Sequence, residues 1–136
     1  MERVTVLMPD ERSRLRLFDL MRKRFCETGD IGCYQFPPSI ILSESTDYSM
    51  AVDIGDGIFH VHSRPEIIKG MAICPIWDER LLRISGGGTP GLFIGKKDSS
   101  EEMDMEVSVK SIAIVEYDSI SYRIVRERPL RKSAGN

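Results

Sequence analysis

Short apolar runs recur along this chain of 136 residues, and most of them end at a proline, a glycine or a polar turn. Runs of this length bounded by turn residues are typical of strands, whereas apolar residues every three to four positions indicate an amphipathic helix. The pattern predicts one long helix over residues 10–25, capped by Asp10 and ended before Gly29. It also predicts strands over residues 4–8 and 39–43, the hairpin arms 50–54 and 58–62 around Gly55-Asp56-Gly57, and residues 70–75, 92–96, 107–117 and 122–130.

The segments between these strands are less regular. Residues 77–84 predict a helix of one to two turns, whereas residues 63–70 and the acidic residues 97–106 predict loops. The long helix is expected to bury a face made of Leu15, Phe18, Leu20, Met21 and Phe25. The last strand is expected to alternate, with Tyr122, Ile124 and Arg126 on one face and Arg123, Val125 and Glu127 on the other. These elements indicate an α+β fold with a mixed or antiparallel sheet.

Two of the predicted strands follow the same local pattern. Residues 36–42, Phe-Pro-Pro-Ser-Ile-Ile-Leu, and residues 89–96, Thr-Pro-Gly-Leu-Phe-Ile-Gly-Lys, each place a proline before an apolar run. Proline restricts its own φ angle and favours an extended conformation of the residue before it. Each segment is therefore expected to begin a buried strand with a conformationally restricted backbone. We therefore predict duplicated β-α-β-like halves whose equivalent strands lie side by side, with any functional site between them.

Composition narrows the class of protein. Hydrophobic residues make up 41% and charged residues 29% of the chain, which is ordinary for a globular protein. The length indicates one α+β domain over residues 1–130 and a frayed tail over residues 131–136. No apolar run is long enough to span a membrane, and the start of the chain lacks a signal pattern. Cys26, Cys33 and Cys74 lack a CxxC spacing, which indicates reduced thiols in a cytoplasmic protein, and no cofactor is expected.

Charge is distributed unevenly along a chain whose formal net charge is −2. Residues 10–24 and 119–136 are predominantly basic, and residues 98–106 are acidic. Such blocks are most simply solvated faces or loops, with a binding surface as the alternative. One hypothesis is therefore a structural module that oligomerises through a sheet edge and its basic C-terminal strand.

The order of these parts resembles the 2H phosphoesterase superfamily, which includes bacterial 2'-5' RNA ligases and cyclic nucleotide phosphodiesterases. That family opens with a strand that ends near a proline and continues into a helix, similar to residues 4–25 here. Its two proline-led strands carry the motif His-x-Thr, similar in position to residues 38–42 and 90–96. It closes with a strand, a turn and a strand, similar to residues 109–130. The resemblance implies a trimmed version of that α+β fold, with shortened helices between the proline-led strands.

The catalytic residues of the family are replaced in this chain. The resemblance aligns Ser39 and Gly91 with the two histidines that act as general base and general acid on a phosphodiester, and Ile41 and Phe93 with the hydroxyl residues. Glycine has no side chain, and serine without a neighbouring base transfers no proton at neutral pH, so the resemblance implies a protein that has lost catalysis. It implies instead that a nucleotide, an RNA end or a protein partner binds in the old cleft, lined by Ser39, Ile41, Gly91, Phe93 and Lys96.

An alternative hypothesis rests on His60 and His62, the two histidines of the chain. Alternate residues of a strand share a face, so the two imidazoles could hold Zn²⁺ or a similar ion if a third ligand joined them. Asp53, Asp56 and Cys74 are the candidates for that ligand. The protein would then be a small metal-binding protein or metal-dependent enzyme; otherwise the histidines are a solvent-facing pair on a sheet.

Overall fold

The computed structural model describes residues 2–44, 46, 48, 54, 57–96 and 101–131. Its helices are α1 (Glu11–Thr28), α2 (Gly32–Gln35) and α3 (Glu79–Ile84). Its strands are β1 (Glu2–Pro9), β2 (Ile40–Ser43), β3 (Gly57–Ser63), β4 (Glu66–Ile68), β5 (Met71–Pro75), β6 (Gly91–Gly95), β7 (Met103–Tyr117) and β8 (Tyr122–Pro129). The short helix predicted over residues 77–84 is confirmed as α3. Residues 50–53 of the predicted hairpin arm and residues 55 and 56 of its turn lie outside the described residues.

The strands form one sheet in which every neighbouring pair is antiparallel. Their order is β3-β7-β1-β2-β6-β5-β4, and β8 pairs with β7 off this path. The proline-led strands β2 and β6 are neighbours, with Ile40 opposite Leu92 and Ile41 opposite Gly91, so the prediction that they lie side by side is confirmed. Each strand of this pair ends a strand-helix-strand unit, β1-α1-β2 or β5-α3-β6. The two units therefore meet at the β2–β6 ladder.

Helix α1 begins and ends where its sequence predicts. The Asp10 carboxylate accepts a hydrogen bond from the Ser13 backbone N–H at 2.8 Å, which satisfies one of the free donors of the first turn. Gly29 ends the helix in the left-handed conformation, with a φ angle of 72°. None of the helices in the described part of the chain is long and apolar enough to cross a bilayer.

The buried face of α1 differs from the predicted one. Ser13, Leu17 and Met21 are buried, whereas 51% of Leu15 and 37% of Phe25 are exposed. At 100° per residue, the five predicted positions cover more than half of the helix circumference. Residues spaced four apart form a narrower stripe, and that stripe reaches the sheet.

Two segments predicted as loops contain strands. Residues 66–68 form β4 and pair with β5. Strand β7 begins at Met103, so the acidic segment 97–106 is extended at its end. Met103 and Met105 pack against the core while Asp104 and Glu106 are exposed. The acidic composition concealed this period-two alternation, which is typical of a half-buried strand.

Strand β8 contains a β-bulge that changes its alternation. Its register on β7 shifts between Ile114 and Val115, where β8 holds one extra residue, Val125. As a result Arg123 and Arg126 project from the same face of the sheet. The prediction that these two residues lie on opposite faces is therefore wrong.

The sheet buries an apolar cluster on each face. Because successive residues of a strand point to opposite sides, neighbours such as Ile40 and Ile41 fall in different clusters. The first cluster includes Leu7, Leu17, Ile40, Leu42, Leu81, Leu92 and Val107. The second cluster includes Val4, Val6, Met21, Phe36, Ile41, Ile73, Phe93 and Tyr117.

The carboxylate of Asp30 fastens the end of α1 to the end of β6. Only 2% of Asp30 is exposed. Its oxygens accept hydrogen bonds from the backbone N–H of Gly32 at 2.9 Å and of Lys96 at 3.1 and 3.2 Å, and Arg24 Nη2 lies 3.5 Å away. A Cβ on Gly95 would lie 2.3 Å from Asp30 Oδ2, so this junction requires glycine. The backbone donors and the guanidinium compensate the buried negative charge.

Replacing Asp30 tests this junction. Asp30→Ala is expected to lower the free energy of unfolding by about 2–4 kcal/mol, because buried N–H donors lose their acceptor and the guanidinium loses its counter-ion. Urea denaturation measures the change. Asp19→Ala, which removes the same side chain from an exposed position of α1, is the control and should change stability by less than about 0.5 kcal/mol. Equal effects of the two substitutions would contradict the role given to Asp30.

Candidate functional site

The β2–β6 ladder brings four of the predicted site residues together. Ile41 lies opposite Gly91, and the Phe93 backbone N–H donates to the Ser39 carbonyl at 3.0 Å. Alternate residues of a strand share a face, so all four project from the face of the sheet that carries the second cluster. The fifth predicted residue, Lys96, follows the end of β6.

The region around Ser39 and Phe93 is filled. Ser39 and Phe93 are fully buried, and the Ser39 hydroxyl donates to the Pro37 carbonyl at 3.0 Å. The ring of Phe36, also fully buried, packs against Phe93 with 5.0 Å between centroids and against Tyr117 with 5.3 Å. An aromatic cluster therefore occupies the space that a polar cleft would need.

The space above Gly91 is occupied as well. A Cβ at this position would lie 2.2 Å from Ile73 Cγ2 and 2.8 Å from the Cys74 carbonyl oxygen. The first contact is with a side chain that can rotate, but the second is with the backbone of β5. No side chain fits at position 91 unless β5 moves away from β6.

An open groove lies beside this filled region, on the same face. Its apolar section has a volume of about 230 Å³ and is lined mainly by Val4, Ile41, Ile68, Met71, Ile73 and Tyr117. Its charged section has a volume of about 370 Å³, and its lining includes Glu2, Lys69, Lys96, Tyr117 and Asp118. Lys69, Met71 and Tyr117 belong to both sections, which therefore form one groove. Of the predicted residues, Ile41 and Lys96 line the groove, whereas Ser39, Gly91 and Phe93 are buried beneath the face.

The groove contains two lysines, a neutral phenol and the carboxylates of Glu2, Glu44 and Asp118. Lys69 forms an ion pair with Glu44, and this hydrogen bond raises the pKa of Lys69, so the ammonium stays charged. The Tyr117 hydroxyl donates to Glu2 at 2.8 Å. Burial, and then this hydrogen bond, raise the pKa of Tyr117 far above its usual value, so the phenol stays protonated. Neither histidine of the chain lies here, so the groove has no imidazole to exchange protons at neutral pH.

Sequence reasoning missed Lys69 and Tyr117. Lys69 lies in the turn between β4 and β5, within the segment predicted as a loop, and its φ angle is 51°. Tyr117 ends β7. No motif marks either residue, because the groove is built from strands that are far apart in the chain and adjacent only in the sheet.

His60 and His62 lie elsewhere, on β3, and β7 and β1 separate them from β2. His60 Nε2 is 2.5 Å from Asp104 Oδ1, and His62 Nε2 is 3.3 Å from Glu102 Oε1. The hydrogen bond with His60 is the main cause that lowers the pKa of Asp104. Trp77, which is 73% exposed, lines the same cleft of about 320 Å³.

The third metal ligands predicted from the sequence either lie outside the described residues or are buried. Asp53 and Asp56 lie outside the described residues. Cys74 is buried in the first cluster, and burial raises the pKa of its thiol to about 11, which disfavours the thiolate that binds metals. Across the described parts of the chain, no group of three or more histidine, cysteine or acidic residues is arranged to hold an ion.

Substitution of Gly91 tests the close packing at the centre of the site. Gly91→Ala is expected to lower the free energy of unfolding by about 1–3 kcal/mol, since the added methyl group forces β5 away from β6. Gly57→Ala on β3 is the control, because a Cβ there would approach only the flexible Arg80 side chain, at 3.2 Å. Urea denaturation of both variants measures the difference. A Gly91→Ala protein as stable as the parent would mean that position 91 has room for a side chain.

Comparison with known proteins identifies the fold. No protein-family model matches the chain. No curated protein matches it in sequence either. Among solved structures, TT0787 of Thermus thermophilus matches with a TM-score of 0.56 and 14% identity over 98% of this chain and 100% of its own.

Two structures of Escherichia coli LigT also match. The apo form has a TM-score of 0.57 and 6% identity over 96% of this chain and 97% of its own. The complex with 3'-AMP has a TM-score of 0.56 and 7% identity over 94% of this chain and 96% of its own. LigT and TT0787 are 2H phosphoesterases, and at these identities the likeness concerns the fold alone. The fold implied by the sequence resemblance is therefore confirmed: this chain has the LigT-like fold of the 2H phosphoesterases.

Proposed function

We propose that this protein is a non-catalytic representative of the 2H phosphoesterase fold that binds a nucleotide or a phosphorylated RNA end in the groove. One observation carries the proposal. Phe36 packs against Phe93, and Ile73 occupies the space above Gly91, while the groove beside them contains two lysines, Lys69 and Lys96. The space for proton-transfer groups is gone, and a site for an anion remains.

Loss of catalysis follows from the chemistry of the face. General acid–base cleavage of a phosphodiester needs two groups that exchange protons near neutral pH on opposite sides of the substrate. Here the Ser39 hydroxyl donates a hydrogen bond to the Pro37 backbone carbonyl, and Gly91 has no side chain. The Tyr117 phenol stays protonated because its pKa is raised, so it can donate a hydrogen bond but cannot act as a base. The groove can therefore hold a phosphate without cleaving it.

The two sections of the groove suit the two parts of a nucleotide. The apolar section offers the side chains of Val4, Ile41 and Ile73 to a base or a ribose. The charged section offers the ammonium groups of Lys69 and Lys96 to a phosphate. That LigT forms complexes with 3'-AMP and with phosphate supports a ligand of this class.

Titration with 3'-AMP tests the binding proposal. We expect saturable binding by isothermal titration calorimetry, weakened about fivefold, or about 1 kcal/mol, by either Lys69→Ala or Lys96→Ala because each removes a charge beside the phosphate. Lys110→Ala removes a lysine from an exposed position of β7 and serves as the control. Adenosine, which lacks the phosphate, should bind more weakly. No saturable binding of 3'-AMP would contradict the proposal.

The non-catalytic part is tested separately with 2',3'-cyclic AMP. No hydrolysis above the uncatalysed rate is expected. Turnover that disappears in His60→Ala or His62→Ala would overturn this part and would assign the chemistry to β3.

A second candidate function, binding of a divalent transition metal at β3, is favoured by the acidic residues beside the two histidines. Two imidazoles and the Asp104 carboxylate are a donor set that suits Zn²⁺. The hydrogen bond between His60 and Asp104 would have to open to admit the ion. We propose this function as the alternative to nucleotide binding.

Zinc titration decides on this alternative. If the site binds zinc, calorimetry should show one Zn²⁺ per chain, lost in both His60→Ala and His62→Ala because each removes one of the imidazole ligands. Cys26→Ser, which alters an exposed potential ligand elsewhere, should leave zinc binding unchanged. Elemental analysis that finds no zinc on the parent protein after incubation and desalting would rule the site out.

A further inference from the structure

The β-bulge in β8 gathers arginines on one face of the sheet. Directly opposite residues in a ladder share a face, so Arg123, Arg126 and Arg128 project beside Glu116, Ile114 and Ile112 of β7. Arg3 of β1 lies opposite Glu116 on the other side of β7 and joins the same face. We call Arg3, Arg123, Arg126 and Arg128 the basic face.

The basic face is exposed and only partly neutralised. The side chains of Arg3 and Arg123 are 61% and 69% exposed, and both contact Glu116, at 2.8 and 2.6 Å. Arg126 and Arg128 are also exposed. The nearest acidic residue of β8, Glu127, points to the opposite face, where it accepts a hydrogen bond from the Ser111 hydroxyl. Among the described residues that these three strands place on this face, four arginines against one glutamate leave a local excess of positive charge on a chain that is negative overall.

The spacing of these arginines is regular. Successive positions on one face of a strand are about 7 Å apart, at about 3.3 Å per residue. The bulge places Arg123 on the same face as Arg126 and Arg128. The three arginines therefore form a line along β8. The Arg126 guanidinium lies over the ring of Tyr48, 5.1 Å from its centroid.

The face lacks the apolar centre that a protein partner usually needs. Protein interfaces depend on buried aromatic or aliphatic anchors surrounded by a polar rim. The exposed Ile124 of β8 projects from the opposite face, and Ile114 is only half-exposed between the arginines. A line of guanidinium groups without apolar anchors suits a phosphate backbone, to which arginine binds through paired hydrogen bonds.

We propose that the basic face binds the phosphate backbone of a single-stranded nucleic acid. A single line of cations matches one chain of phosphates, whereas a duplex presents two. This surface is separate from the groove, which lies on the other face of the sheet, so it does not depend on the function proposed for the groove.

Fluorescence anisotropy with a fluorescein-labelled 15-nucleotide oligouridylate tests the proposal. The parent protein should bind saturably at 50 mM NaCl, and the affinity should fall steeply with salt, with a log–log slope of about −2 for three phosphate contacts. Arg126→Glu/Arg128→Glu should weaken binding at least tenfold. Arg12→Glu/Arg16→Glu, which makes the same change of charge at exposed positions of α1, is the matched control and should change the affinity less than threefold. Thermal unfolding checks that both variants fold.

Three results would overturn the proposal. The parent protein could fail to bind the oligonucleotide at 50 mM NaCl. The α1 control could lose as much affinity as the β8 variant, which would indicate non-specific attraction. Poly-L-glutamate could displace the oligonucleotide more effectively than unlabelled oligouridylate, which would assign the face to an acidic polypeptide. An excess of 3'-AMP, the ligand proposed for the groove, should not displace the oligouridylate, which separates this surface from the groove.

Discussion

The close approach of β5 to β6 over Gly91 is the contact on which this structure depends. Gly91 pairs with Ile41 on one side and with Pro75 on the other, and Ile73 occupies the space that a side chain at position 91 would fill. The ladders on both sides of β6 join β1, β2 and β7 to β4 and β5. A strand with a side chain at this position would separate two neighbours, and the two halves of the sheet would lose their common core.

The same packing decides what chemistry the fold can perform. In this sheet, four residues on alternate positions of β2 and β6 converge on one face, which is the geometry that opposed catalytic groups would require. Here this part of the face is occupied by Phe36, Phe93 and Ile73, and all three side chains are buried. Apolar packing stabilises the sheet and fills the face around these three residues. The fold alone does not decide the activity, and function has to be argued from the groove and the exposed surface.

Particular elements explain where sequence reasoning succeeded and where it failed. The Asp10 cap, the Gly29 stop and the proline-led strands depend on local backbone chemistry, and all three are found as predicted. The buried stripe of α1 and the alternation of β8 depend on what lies against them. Met21 is buried as predicted, but Leu15 and Phe25 are exposed. The predicted alternation of β8 is wrong. The bulge at Val125 has no signal in the sequence, since a valine is ordinary in any strand, yet it brings Arg123 onto the face of Arg126 and Arg128.

The sequence by itself determined the long helix, the α+β class and the absence of histidine from the two proline-led strands, because each of these follows from residue type and local periodicity. Only the tertiary structure decided that the predicted cleft is filled, that Lys69 and Lys96 share a groove, and that Arg3 joins the arginines of β8. These features depend on strand order and register, which bring together residues as far apart as 3 and 123. Such contacts cannot be predicted from local sequence, because the pairing of the strands depends on the packing of the whole sheet.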